Sequence, residues 1–519
     1  GSGGTAVLSA AAGADISVAD GTALILRSDS NTGNLISGTF ALSGAGSFHF
    51  DSGVISANSD TTFTGSGELL ISSGATLAGS ALVTIASGFD WTGGIMSGTG
   101  TTRLVNAVSL TGSGTRSLNR TLEIAAGGSL DIGDNVVIQR STSNGGTGRI
   151  VALGTLTKSS GSGTAYIQYL DLQGNLASSS GILSLYGNAA GTTLGSASFS
   201  TSGTGLMRMD SGLFTLTNGQ TATVTAGTLD LSGATLSTAG TSSIIGAGTF
   251  LLSSGTLDGA GTLNISSGFN WTAGTMSGAG VTRLVSDVSL TGSGTRTLNR
   301  TLEISAGASL NLGNDVLIQR ATSNGGTGGI VALGSLTKSS GTGTAYVRYL
   351  DLRGNISSSS GTLSIYGNTA GSSINGAVFS TTGSGVLSFD SGLFTLNTGE
   401  SASVAAGIFD LSGGTLSTTG DSTFGGAGTL RFTSGTISGI GRLTVNAGFD
   451  WSAGTQSGLG VTRLNGESRI LSGGTKALNR TLEISGSTRV DTPSGTVQIQ
   501  DSGRLSVLDT GQLEIVGGS

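Results

Sequence analysis

Apolar residues along this chain alternate with Ser, Thr and Asn in very short runs. The stretch GTLDLSGATLSTAGTSSIIGAGTFLLSSGTLDGAGTLNISSG at 227–268 is representative. Within it, Thr228-Leu229-Asp230-Leu231 and Thr262-Leu263-Asn264-Ile265 put an apolar residue at every second position, the period of a half-buried strand. Corners bearing Gly follow about every 6–8 residues. Nowhere do apolar residues hold a helical i, i+3, i+4, i+7 pattern for three turns, and each Gly would cost a helix about 1 kcal/mol. Strands too short for an independent sheet become stable when each pairs with the coil above and below. The pattern therefore predicts an all-β fold, a right-handed parallel β-helix (β-solenoid) of about 20 residues per coil, forming an elongated single rod. About 26 such coils, each rising about 4.8 Å, would span roughly 120 Å. Inward positions take Leu, Val, Ile, Phe or Ala, and outward ones take Ser and Thr. Pro493, the only proline, would delete a ladder hydrogen bond in mid-sheet and is expected at a corner.

A longer period overlies the short one. Trp91, Trp271 and Trp451 recur at one fixed interval, in GFDWTGGIMSG (88–98), GFNWTAGTMSG (268–278) and GFDWSAGTQSG (448–458). Compared without gaps, 88–123 and 268–303 are identical at more than three-quarters of their positions. The chain reads as a partial solenoid unit at 1–87, units at 88–267 and 268–447, and a partial final unit at 448–519. Leu77 precedes its counterpart Leu257 by the full repeat, but FDSG at 50–53 lies closer than that to its counterpart MDSG at 209–212. The leading unit thus lacks about 20 residues between these points, which is expected to be one whole coil, since each coil touches only its neighbours.

Composition narrows the function. Charged residues make up 10% of the chain, against about a quarter in an ordinary globular domain, and Gly numbers 94. Mean hydropathy is +0.21, so the chain can bury a core despite its glycine. Net charge is −6 and the pI about 4.8, which argues against nucleic acid as a partner. No apolar run approaches the roughly 18 residues of a membrane helix, and nine Trp and Tyr residues cannot form the two aromatic girdles of an outer-membrane barrel. The absence of Cys removes disulfides and thiol chemistry. The start, GSGGTAV, carries no signal segment and reads as a processed or excised end.

Candidate chemistry is sparse. Asp51, Asp210 and Asp390 recur in phase, but Asp90 and Asp131 become Asn270 and Asn311 one unit later. Asn cannot serve as a general acid or base, so these positions are expected to satisfy corner backbone groups. LNRTLEI recurs at 118–124, 298–304 and 478–484; its Asn119, Arg120 and Glu123 could bind a ligand, but a surface ion pair of Arg120 with Glu123 or a neighbouring coil and an Asn stacked at a corner are the plainer explanation. His49 is the only histidine, which excludes His-based triads and His-rich metal sites. SNGGTG at 143–148 and 323–328 has no lysine and no following helix and reads as a turn. Thr-x-Thr ladders of the kind that order water on an ice face are sporadic. The tyrosines give the sharper hypothesis. In YIQYLDLQGN (166–175), placing Leu170 and Leu172 inward sends Tyr169 and Asp171 outward, and Leu183 and Leu185 inward leave Tyr186 outward. Tyr349 and Tyr366 repeat the arrangement. Tyr169, Tyr186, Tyr349 and Tyr366 are the candidate binding residues, as platforms for glycan rings or partner surfaces.

With Gly/Ser/Thr-rich coils, no Cys and tandem units, the chain resembles β-solenoid passengers of bacterial autotransporters and filamentous-haemagglutinin-like adhesins. That resemblance implies secretion across the outer membrane, a right-handed solenoid and a role in adhesion or matrix-building at the cell surface; it assigns no functional residue. The expectation is an extracellular structural or adhesive rod of a bacterial surface or matrix, not an enzyme and without cofactors or metals. Its partners would be glycans or a host or neighbour-cell surface, with no nucleic acid and no membrane span. The ends show no capping segment, which predicts end-to-end self-association or truncation of a longer rod. The alternatives are a polysaccharide-acting β-helix enzyme, which needs a one-sided cluster of acidic and basic side chains, and an inert stalk or spacer.

Overall fold

The computed structural model describes residues 7–9, 15–28, 34–140, 148–195, 197–321, 328–349, 351–491 and 496–516. Pro493, the SNGGTG turns except Gly148 and Gly328, and the outermost residues at both ends fall outside this set. No helix occurs among the described residues. The chain divides into two units, Gly1–Gly261 and Thr262–Ser519. Each is a parallel β-solenoid, and together they hold about 22 turns of roughly 22 residues.

Short alternating segments form the sides because only every second residue is apolar. Thr235–Thr238 and Arg442–Val445, for example, each bury their second and fourth residues. Each strand pairs in parallel with the strand three sides further on, as Leu236 with Leu257 and Leu443 with Thr462. The coil is slightly longer than expected because corners vary. The turn from Ile167 to Leu185 is short, whereas the one before it, from Ile138 to Ile167, takes in a much longer corner. Inside, aromatic residues stack along the axis. Phe40, Phe48 and Phe63 cluster in the first unit, and Phe379 lies 4.2 Å from Phe409 in the second. Each such fully buried side chain contributes about 1.5–3 kcal/mol.

The block missing from the start of the chain corresponds to one coil. Ile55 and Phe214 hold the same place after the FDSG and MDSG phrases. Ile55 pairs directly with Leu77, whereas Phe214 reaches Leu257 only through Leu236. Removing one whole rung leaves every remaining strand with an equivalent neighbour, so the ladder closes without strain.

The long repeat, by contrast, is not a whole number of coils. In the second unit, registered partners lead from Met276 through Leu298, the Thr297–Gln319 pairing, Ile318, Val347, Ile365, Phe389, Leu411 and Phe432 to Trp451. The counterpart of Met276 is Gln456, one side further along the chain, and it continues a different column through Leu416 and Ile437. Eight turns therefore fall one side short of the repeat, and within the second unit the repeated phrase comes back on the next face. Trp451 stacks on Phe432 of the preceding coil, with ring centroids 6.0 Å apart.

Cations take a structural place in this core. Arg120 and Arg480 are each 1% exposed. The Arg120 guanidinium donates to the carbonyls of Ala81 (2.8 Å) and Ala78 (3.4 Å), and Arg480 does the same to Gly441 and Ser457. Burial pushes both down to about 10, so they stay charged at neutral pH. The proposed surface pair of Arg120 with Glu123 is thus incorrect. Glu123 faces outward and receives Arg103 from the preceding coil at 2.8 Å, as Glu303 receives Arg283 and Glu483 receives Arg463. LNRTLEI recurs because it builds a corner: an inward Arg holds carbonyls of earlier coils while its Glu clamps the coil outside.

Candidate binding grooves

Outward carboxylates are mostly engaged by the coils beside them. Asp210 accepts hydrogen bonds from Ser184 and Ser232, and Asp390 from Ser364 and Ser412, one coil back and one coil on in each case. Asp51 holds Arg27 at 2.5 Å. Asp131 accepts from Thr157 Oγ1 and from the Ser159 backbone, both at 2.9 Å, and Asn311 treats Thr337 and Ser339 the same way. An acceptor oxygen is all this corner requires, which explains the Asp-to-Asn exchange. Asp90 differs: burial raises its carboxyl above the ordinary range, with Arg116 opposing, and Asn270 stands neutral at the same place.

A one-sided set of acids and bases does assemble in the second unit. Asp410, Arg431, Asp450 and Arg469 occupy successive rungs of one outward column. They close on each other in pairs: Arg431 reaches Asp410 at 2.9 Å, and Arg469 Nε reaches Asp450 at 2.7 Å. Among the described residues, no three His, Cys, Asp or Glu side chains are placed to hold a metal ion.

A hollow in the first unit lies where the tyrosines pointed, with a different construction. Tyr169 is not an outward strand residue. It is a corner between the strands Thr164–Gln168 and Leu170–Leu172, with φ +60, the left-handed region that ordinarily favours glycine. Its N–H donates to the Tyr186 carbonyl of the next coil at 2.9 Å. Arg140 lies over its ring, 3.9 Å from the centroid, and donates Nε to Gly148 O at 2.6 Å. Asp171 points outward as expected and meets Arg149 of the preceding coil at 3.3 Å. These residues, with Thr121, Asn188 and the Ala189–Gly191 turn, line a groove of about 850 Å³ across successive coils. A hollow of about 300 Å³ continues beyond the Arg149–Asp171 pair.

The second unit repeats the corner. Tyr349 has φ +59 and donates to Tyr366 O at 2.7 Å, and Arg320 Nε donates to Gly328 O at 2.7 Å. Here Gly329 replaces Arg149, and Arg320 itself approaches Asp351 at 3.6 Å. Tyr186 and Tyr366 stand beside the corners, not in them. Each pairs with a tyrosine of the previous coil, Tyr166 or Tyr346, at 6.3 Å between centroids, and Arg348 covers Tyr366 at 4.5 Å. All four candidate tyrosines are half-buried, not freely exposed. Arg140, Arg149 and Asn188 went unnoticed in the sequence. The signal was available for two of them, because Arg140/Arg320 and Asn188/Asn368 keep their identity from one long repeat to the next.

No helix among the described residues is long and apolar enough to cross a membrane. No protein-family model matches the chain, and no curated protein matches it.

Proposed function

We propose that this chain is an extracellular structural and adhesive element of a bacterial surface or matrix, in which a solenoid shaft carries weak glycan-binding grooves. The observation that supports this most is the recurrence of the left-handed Tyr corner, at Tyr169 and Tyr349, beside an Arg, an outward Asp and an Asn in both units. An aromatic ring edged by hydrogen-bonding groups suits a sugar, and repetition converts weak contacts into avidity. The passenger-like solenoid supports the surface assignment by resemblance of fold. In the last described coil, Ile499, Leu505 and Val507 stand in register with the buried Leu478, Leu482 and Ile484 yet are 37–54% exposed. End-to-end stacking of copies is part of this reading, and sedimentation showing only a discrete monomer at high concentration removes it.

The test is a glycan array probed with the whole chain and with a Tyr169→Ala/Tyr349→Ala variant. Binding by the native chain that the variant loses is expected; undiminished binding by the variant overturns the assignment of the grooves. A polysaccharide-acting enzyme is the second reading, favoured by the Asp410–Arg431–Asp450–Arg469 column. Release of reducing ends from a polysaccharide incubated with the chain would replace the adhesive reading with it.

A further inference from the structure

We propose that the groove of the first unit takes a carboxylated saccharide, and that Arg149 sets this preference for charge. The inference rests on the glycan-binding reading above and narrows it. The strained corner comes first. A left-handed tyrosine costs about 1–2 kcal/mol relative to the relaxed backbone. Most corners of this chain reach positive φ with glycine, and glycine at 169 or 349 would relieve the cost. Both units nonetheless keep tyrosine in the same pose, with its N–H bound to the next coil. The ring is therefore held at the groove for what it offers there.

The polar groups specify the remainder of the ligand. Asn188 lines the groove, and its Oδ1 is buried without a hydrogen-bond donor, as is Asn368 Oδ1 in the second unit. A buried acceptor without a donor is costly, and a rotation of the Asn188 amide toward the groove would let a ligand hydroxyl supply one. Arg140, Arg149 and Asp171 leave the groove with one positive charge in excess. Arg149 is 55% exposed and holds Asp171 through one long 3.3 Å contact, so its planar fork can receive a carboxylate from solution. A hydroxyl at Asn188, the part of the Tyr169 ring left uncovered by Arg140 and a carboxylate at Arg149 together describe a uronic-acid type of sugar.

Arg149→Gly deletes this cation. Calorimetric titration of the whole chain with a galacturonate oligomer and with its methyl ester reads the difference. The acid is expected to bind at least tenfold more tightly than the ester. Arg149→Gly brings the acid down to the level of the ester and leaves the ester unchanged. Equal binding of acid and ester, unaffected by Arg149→Gly, overturns the inference and leaves glycan binding standing. Failure of the native chain to bind any sugar on the array overturns both.

Discussion

Replacing Arg120 with Met is expected to lower stability by about 3 kcal/mol, although the residue touches no groove and no solvent. Its guanidinium is the donor to two corner carbonyls, Ala78 and Ala81, from a position only 1% exposed. Methionine restores much of the volume and none of the N–H groups. Each buried carbonyl left without a donor costs about 1–3 kcal/mol. Because a coil touches only its neighbours, the loss should appear as local opening around 78–122, not as a uniform weakening. Arg103→Met is the comparison. Arg103 is 40% exposed and bound to Glu123, so its loss is expected to cost less than about 1 kcal/mol. Urea unfolding followed by hydrogen exchange distinguishes the two; equal effects would mean that the buried guanidinium holds nothing.

The second large effect concerns the spacing of coils at a corner. Gly392 and Gly399 have nearly the same backbone, with φ +82 and +78. A methyl group on Gly399 meets nothing within 4 Å, whereas on Gly392 it would lie 2.0 Å from the Gly367 carbonyl oxygen of the preceding coil. Gly399→Ala should therefore cost only the left-handed penalty, about 1 kcal/mol. Gly392→Ala must in addition force two backbones apart, and is expected to cost several times more. Gly212 is built the same way against Gly187 in the first unit, so the effect should reappear there. Similar denaturation midpoints for Gly392→Ala and Gly399→Ala would show that the coils are not packed at backbone contact.

Much of this architecture was legible in the chain. Period-two segments such as Thr262–Ile265 and regular glycine corners identify a parallel solenoid, because neither a helix nor an independent sheet can use strands so short. The missing coil was readable as well, since a solenoid tolerates only whole rungs. The shift of face between repeats was not. It depends on how many sides fit in one long repeat, and corners of very different length, such as those before and after Ile167, hide that number. Arg120 misled for a different reason. An Arg followed three positions later by a Glu suggests a surface pair, and nothing local reveals that strand alternation turns one inward and the other outward. At the candidate site, the sequence pointed to Tyr169 and Tyr349 but placed them in strands. Left-handed geometry at a tyrosine has no local signature, and Arg149 and Asp171 meet only because a coil closes between them.

In the second unit, repeated phrases do not form a stripe, since the strand of Trp451 continues the column of Met276.

The parallel register itself can be tested with a single pair of cysteines, because the chain contains none. Ser417 and Ser438 are directly registered outward positions on adjacent coils. Parallel neighbours lie about 4.8 Å apart, within the range a disulfide spans. In a Ser417→Cys/Ser438→Cys variant, mild oxidation of the folded monomer should close an intramolecular disulfide nearly quantitatively, and Ser417→Cys/Thr436→Cys, offset by two positions, should remain reduced. Failure of the first pair, or equal closure of both, would contradict a solenoid in this register.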